Sequence, residues 1–268
     1  MRRSMILLVV SLVLLAVCAA SSQPLTSFGL DSMVAVPAGW FWMGQDDGPE
    51  SNRPQHAVYL DAFAIDRTEV TMAAFTEFVA ATGYQAKGWE PPLRLPPRAG
   101  GAGGGPHADE PAAGIMWQDA DAYCRWFGKR LPTEAEWEKA ARGTDRRIYP
   151  WGDQWNADCA NTADSGYGRV LPVGSFLDGA SPYGALDMAG NVAEWVSDYF
   201  DAGYYAISPE RNPTGPDIVV DHVLRGGSWA SPSAHAQTFF RDSSHSARRN
   251  PRVGFRCALS LARTSGAP

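Results

Sequence analysis

The sequence predicts an α+β fold, loop-rich with short strands and few helices, and three features point that way. Apolar runs are brief and alternate with polar residues; three stretches carry helical spacing between capping residues and glycines; and 27 glycines and 20 prolines punctuate 268 residues. With 45% hydrophobic residues and 10 tryptophans, the chain can bury a sizeable core, enough for about one domain of roughly two hundred residues plus extensions. A net charge of -6 and a pI near 5.4 leave no electrostatic footprint for nucleic acid.

The N-terminus reads as a targeting segment. Arg2 and Arg3 precede an apolar run from Met5 to Ala20 broken only by Ser11, and small residues follow at Ala19, Ala20, Ser21 and Ser22. Residues 1–22 are therefore expected to be an export signal, 23–32 a linker, 33–260 the folded domain and 261–268 a flexible tail. The run falls short of the roughly 20 apolar residues of a membrane span. Leu15-Ala16-Val17-Cys18 resembles a lipoprotein box, except that Val17 stands where a small residue is expected. The expectation is an exported protein, periplasmic or secreted, that meets a membrane only through the signal or a lipid on Cys18. That leaves Cys124, Cys159 and Cys257, an odd number, hence at most one internal bridge and one free thiol; spacing does not choose the pair.

Along the domain, Met33 to Gly44 alternates around Pro37 and Gly39 as two short strands, and His56 to Ile65 reads as another strand pair. The loop with Asp46, Asp47 and Glu50 reads as solvated rather than cation-binding. Thr71 caps a helix to Thr82 with Phe75, Phe78 and Val79 on one face and Gly83 at its end. Lys87 to Pro111 is a long loop with prolines and a Gly100 to Gly105 cluster, read as an insertion. A second helix is expected from Gln118 to Phe127, with Ala122, Tyr123 and Trp126 inward. Thr133 and Glu136 form a capping box before Trp137, Ala140 and Ala141, and Gly143 closes that helix. Glu134 and Glu136 are both read as capping residues rather than acid catalysts.

Val219 to Leu224 reads as a buried strand feeding the turn Arg225-Gly226-Gly227-Ser228-Trp229. The following polar stretch, up to Gly254-Phe255-Arg256-Cys257, reads as a surface loop of the kind that carries sites.

Five blocks now stand in order: Gly128-Lys129-Arg130-Leu131-Pro132-Thr133-Glu134-Ala135-Glu136-Trp137-Glu138, Tyr149-Pro150-Trp151-Gly152, Gly190-Asn191-Val192-Ala193-Glu194-Trp195, Arg225-Gly226-Gly227-Ser228-Trp229 and Gly254-Phe255-Arg256-Cys257. Together they resemble the formylglycine-generating enzyme, or sulfatase-modifying factor, family. The resemblance implies a C-type-lectin-like fold with structural calcium. It places one calcium on the side chains of Asp187 and Glu194 and the carbonyls of Gly190 and Val192, a loop of hard oxygen donors. A second calcium falls at Asn161 and Thr162, with further oxygens between Asp164 and Tyr167. It also pairs Cys124 with Cys257, leaving Cys159 unpaired.

For activity, the resemblance implies two cysteines shortly after the Arg-Gly-Gly-Ser-Trp turn that bind copper(I), which soft thiolates suit. Those positions fall at or next to Ser231 and Ala236, and no cysteine lies between Ala230 and Arg256. Ser228 matches the family's active-site serine. His235, with His245 and His222, offers an alternative imidazole site for copper or iron. Asp242, Arg248 and Arg249 offer a charged rim. The readings carried forward are a metal-dependent oxidoreductase acting on a peptidyl or small-molecule substrate, a non-catalytic binding module for a protein, peptide or glycan, and, disfavoured, a sulfatase activator.

Overall fold

The computed structural model describes residues 32–89, 108–217 and 220–262. The segment expected to be an export signal, most of the expected linker, most of the 88–111 loop and all but the start of the expected tail lie outside the described residues.

In chain order the elements are β1 (Met33–Val36), β2 (Gly39–Met43), β3 (His56–Leu60), β4 (Phe63–Asp66), α1 (Met72–Thr82), α2 (Trp117–Trp126), α3 (Glu134–Arg142), β5 (Ala193–Tyr199), β6 (Asp221–Arg225), β7 (Asp242–His245), β8 (Val253–Phe255) and β9 (Ala258–Ser260). They form an antiparallel sheet in the order β1-β4-β9, a β2-β3 ribbon, and a four-stranded sheet β7-β6-β5-β8 in which β5 and β8 run parallel. The predicted α+β architecture of short strands and few helices is the one observed.

Two apolar clusters hold the layers together. Val36, Phe41, Val58, Leu60 and Ile65 pack around Trp137 of α3, while Phe75, Phe78, Tyr123, Trp195 and Phe255 join α1 and α2 to the larger sheet. The Cys124–Cys257 disulfide, with Cα atoms 5.6 Å apart, ties α2 to the chain after β8 inside the second cluster. Cys159 is free and buried.

The helix ends follow local chemistry. The Thr71 side chain accepts the Ala74 N–H, and Gly83 closes α1 in the left-handed conformation. At α3, Thr133 Oγ1 accepts the Glu136 N–H at 3.2 Å while the Glu136 carboxylate accepts the Thr133 N–H at 2.8 Å.

Four readings need correction. Glu134 does not cap: α3 is enclosed along its whole length, and Glu134 takes Arg241 Nε at 2.7 Å and Arg225 Nη1 at 3.2 Å. Trp126 is 42% exposed, and α2 buries Ala120, Tyr123 and Cys124 instead, because the α1 and β8 rings meet the Tyr123 side. The strand before the turn starts at Asp221, after an exposed Val220. The stretch between Trp229 and Cys257 is not all surface loop, since it contains β7 and β8 and buries Ala236, Thr238, Phe239 and Arg241.

Candidate functional site

The turn after β6 is built on two left-handed glycines. At Gly226 (φ +87°) a Cβ would meet the Trp137 ring at 3.1 Å, and at Gly227 (φ +66°) the His235 carbonyl at 3.0 Å, so both positions demand glycine. Backbone bonds stitch the turn to two other segments: Gly190 N–H to Gly226 O at 2.8 Å, Trp229 N–H to Asn191 O at 2.9 Å, and Ala163 N–H to Ser231 O at 2.9 Å. The residues assigned to calcium and those assigned to catalysis thus form one body.

At its centre Ser228 is buried, and its Oγ lies 3.0 Å from Ser231 Oγ, which also accepts the Ser228 N–H at 3.1 Å. Ala236 is fully enclosed with Ala160 and Ala189 beside Trp151 and Trp155. A hydroxyl held by its neighbour and a packed methyl do not fit copper(I), which takes thiolates.

The imidazoles do not replace them. His235 stacks on Phe240 with ring centroids 4.1 Å apart, and His222 is sandwiched between Trp117 at 4.1 Å and Tyr199 at 4.2 Å. Burial lowers the pKa of His222. His245 sits exposed on β7. Among the described residues no three or more His, Cys, Asp or Glu side chains are grouped to hold a metal ion, so the alternative histidine site is not assembled; stacking and strand position hold the rings apart. Arg249 is a bolt rather than a rim, donating to Asp119 Oδ2 at 2.9 Å and to Gly114 O at 2.7 Å.

The segment from Asp187 to Glu194 turns through positive φ at Asp187, Gly190 and Asn191. Glu194 is occupied: Arg256 donates to both its oxygens at 2.7 Å, and Trp137 Nε1 adds a bond at 2.8 Å. Asp187 accepts the Gly174 N–H at 2.5 Å and reaches Glu69, a residue the sequence reading missed. Nothing in the spacing links positions 69 and 187; the fold joins them, with Leu186 N–H bonded to Arg67 O at 2.7 Å.

Burial, and then repulsion from Asp187 and Glu194, push the Glu69 carboxyl well above the usual carboxylate range; burial also raises Asp187. Glu69 Oε1 accepts from Asn191 at 3.1 Å; the buried Oε2 meets no N–H donor, and with its carboxyl held protonated Glu69 hydrogen-bonds Asp187. Two neighbouring buried acids, Glu69 and Asp187, thus lie beside the Arg256–Glu194 pair, and a hard cation can take the place of the proton they share. At the second assigned site, the buried Asn161 Oδ1 lacks a partner, while Thr162 Oγ1 caps Asp164 N–H at 3.2 Å.

Comparison with known proteins gives a consistent result. The family described as "Sulfatase-modifying factor enzyme 1-like domain" matches residues 19–261. The chain is similar to the formylglycine-generating enzyme of Streptomyces coelicolor, 35% identical over 286 aligned positions that cover 87% of this chain and 90% of that protein. It is also similar to a Mus musculus protein named inactive C-alpha-formylglycine-generating enzyme 2, 33% identical with 87% of each chain covered. Among solved structures, PvdO from Pseudomonas aeruginosa superposes with a TM-score of 0.72 at 30% identity, covering 85% of this chain and 94% of that one.

Proposed function

This chain belongs to the sulfatase-modifying factor family, and from that premise we propose that it is an exported, calcium-braced binding member of the family that does not oxidise peptidyl cysteine with copper. One observation carries the reading. At the positions where the family resemblance calls for copper-binding thiolates, Ser231 is hydrogen-bonded to Ser228 and Ala236 is a buried methyl. Metal-dependent oxidation would need a donor set that Ser231, Ala236 and the stacked His235 do not supply.

The brace is calcium on Asp187 and Glu69, with the carbonyls of Gly190 and Val192, and Glu69 Oε2, which meets no N–H donor, supports it. Glu194 serves the brace through Arg256 rather than as a free ligand. A second calcium at Asn161 is supported by its unpartnered Oδ1. Export rests on the character of residues 1–22. The ligand class is a peptide, protein or small molecule, received on the loop surface around Trp229, whose ring lies 5.5 Å beneath the Arg252 guanidinium.

The direct test is incubation with a Cys-x-Pro-x-Arg peptide, copper and oxygen, followed by mass spectrometry. The thiol is expected to survive, and an aldehyde product overturns the proposal. The double variant S231C/A236C checks the same geometry from the other side. It is expected to gain about one equivalent of chelator-resistant copper(I) that the native chain does not retain.

A further inference from the structure

The β2–β3 ribbon carries an outward surface separate from the Ser228 turn. Alternation along β2 sends Phe41 and Met43 inward and leaves Trp40 and Trp42 47% and 39% exposed. Tyr59 stands opposite Trp40, edge-on at 5.5 Å. Arg211 lies over this pair, 4.3 Å from the Tyr59 ring and 5.6 Å from Trp40, and Arg146 lies 4.2 Å over Trp42. Among the described residues neither guanidinium meets a carboxylate.

This arrangement is enforced by the backbone. Tyr59 N–H bonds Glu210 O at 2.7 Å and Asn212 N–H bonds Tyr59 O at 2.9 Å, so residues 210–212 extend the ribbon and fix Arg211. Arg146 is left-handed (φ +68°), a conformation that costs a non-glycine residue about 1–2 kcal/mol, and Arg142 holds it by donating to its carbonyl at 3.2 Å. The edge of β2 is closed as well. Lys139 Nζ donates to Pro37 O and Gly39 O, and Arg142 Nη1 to Trp42 O and Gly44 O, so a ligand meets the face and cannot add a strand.

The same chain segments lead into a cleft of about 680 Å³, within the range of about 300–1,000 Å³ usual for ligand sites. Its lining sets Asp61, Asp121 and Glu136 beside Arg125 and Arg130, and both arginines are already paired, with Asp121 and Glu136, so among the described residues the cleft offers no free cation and the aromatic face is the surface open to an acidic ligand.

A guanidinium resting on an aromatic ring is weakly hydrated and keeps its planar fork for a carboxylate. The exposed indoles and the half-buried Tyr59 ring offer flat apolar surface to the C–H faces of sugar rings. We infer that this face binds an acidic polysaccharide, with uronate carboxylates on Arg146 and Arg211 and sugar rings on Trp40, Trp42 and Tyr59. The overall charge of -6 makes two carboxylate-free arginines on one face a local feature rather than general basicity. The inference does not rest on the reading of the Ser228 turn.

Affinity electrophoresis of the full chain in native gels tests it, with polygalacturonate, neutral dextran or polyglutamate in the gel. Polygalacturonate is expected to retard the protein, and dextran and polyglutamate are not. R146Q/R211Q and W40A/W42A are each expected to weaken retardation about tenfold, with native folding checked by near-ultraviolet circular dichroism. Should the tryptophan variant misfold, the arginine variant carries the test. The inference is overturned by absent retardation, by unchanged retardation in R146Q/R211Q, by equal retardation on polyglutamate, or by capture on phosphatidylglycerol vesicles without retardation on polygalacturonate.

Discussion

The buried charges around Arg225 and those around Arg256 obey different arithmetic. Around Arg225, three guanidiniums from Arg142, Arg225 and Arg241 face two carboxylates from Glu134 and Glu138. Each carboxylate oxygen has a donor, and spare guanidinium N–H groups go to the carbonyls of Gly44, Ser51, Asp201, Thr238 and Phe239; only Nε of Arg142 and of Arg225 lacks a partner. Around Arg256, one guanidinium faces Glu69, Asp187 and Glu194, and a carboxylate oxygen is left over. A cation surplus can be spread over backbone carbonyls, which are everywhere. An anion surplus needs N–H donors, a proton or a metal ion, because a backbone N–H makes one bond while a carbonyl oxygen has a second lone pair to offer. The first cluster is therefore closed and structural, while the second is left to a proton or a cation.

The sharpest way to break this contrast is Arg225→Met. Removing the guanidinium takes one buried bond from each of Glu134 and Glu138, which keep Arg241 and Arg142, and each such bond to a charged group is worth about 1.5–3 kcal/mol. Urea unfolding should show that loss equally with and without calcium. A loss below about 1 kcal/mol would show that the closed cluster does not brace the fold.

The open cluster should respond to calcium instead. At a free concentration one hundred times its Kd, a ligand that binds only the folded state adds about 2.7 kcal/mol. Calcium should raise the melting temperature of the native chain, and Glu69→Gln should abolish most of the rise while leaving the chelated protein no less stable, since without calcium burial keeps Glu69 neutral and Gln is a neutral group of the same shape. An equal rise in Glu69→Gln would remove Glu69 from the site.

The same contrast marks what the sequence could disclose. Glu134 and Glu136 look alike in the sequence, and one was read rightly. The role of Glu136 is local, three residues from Thr133, so a capping box is visible in the spacing. The partners of Glu134 lie 91 and 107 residues away, and no spacing rule reaches them. Glu69 escaped for the same reason, being 122 residues from Asn191, which binds it. The Thr71 cap, the left-handed Gly83 and the twin glycines at 226 and 227 were legible because a single residue's conformational freedom decides each. The Cys124–Cys257 bridge was legible only through the family blocks, not from three cysteines considered alone. Trp126 was misplaced because helical spacing defines a stripe without saying how wide the neighbouring layer is.

Asp198 lies at the edge of the closed cluster, and its effect is a slope with pH rather than a fixed loss. It accepts the Glu134 N–H at 2.9 Å and the Ser197 hydroxyl at 2.8 Å, yet burial, and then the Glu134 charge, push its carboxyl up to about 7. Between the ordinary aspartate value near 4 and about 7, the unfolded chain has released this proton and the folded chain has kept it. Stability therefore falls as pH rises through that window, by at most about 1.4 kcal/mol per pH unit for one proton, and this contribution levels off above 7. Asp198→Asn removes the titration while keeping an oxygen for the Glu134 N–H. The stability difference between the native chain and Asp198→Asn should therefore shift steadily from pH 4.5 to 7 in favour of the variant and then stay flat. A difference independent of pH across that range would mean that Asp198 is already ionised in the folded state, held by the Arg225 cluster's surplus positive charge, and that it belongs to the closed cluster.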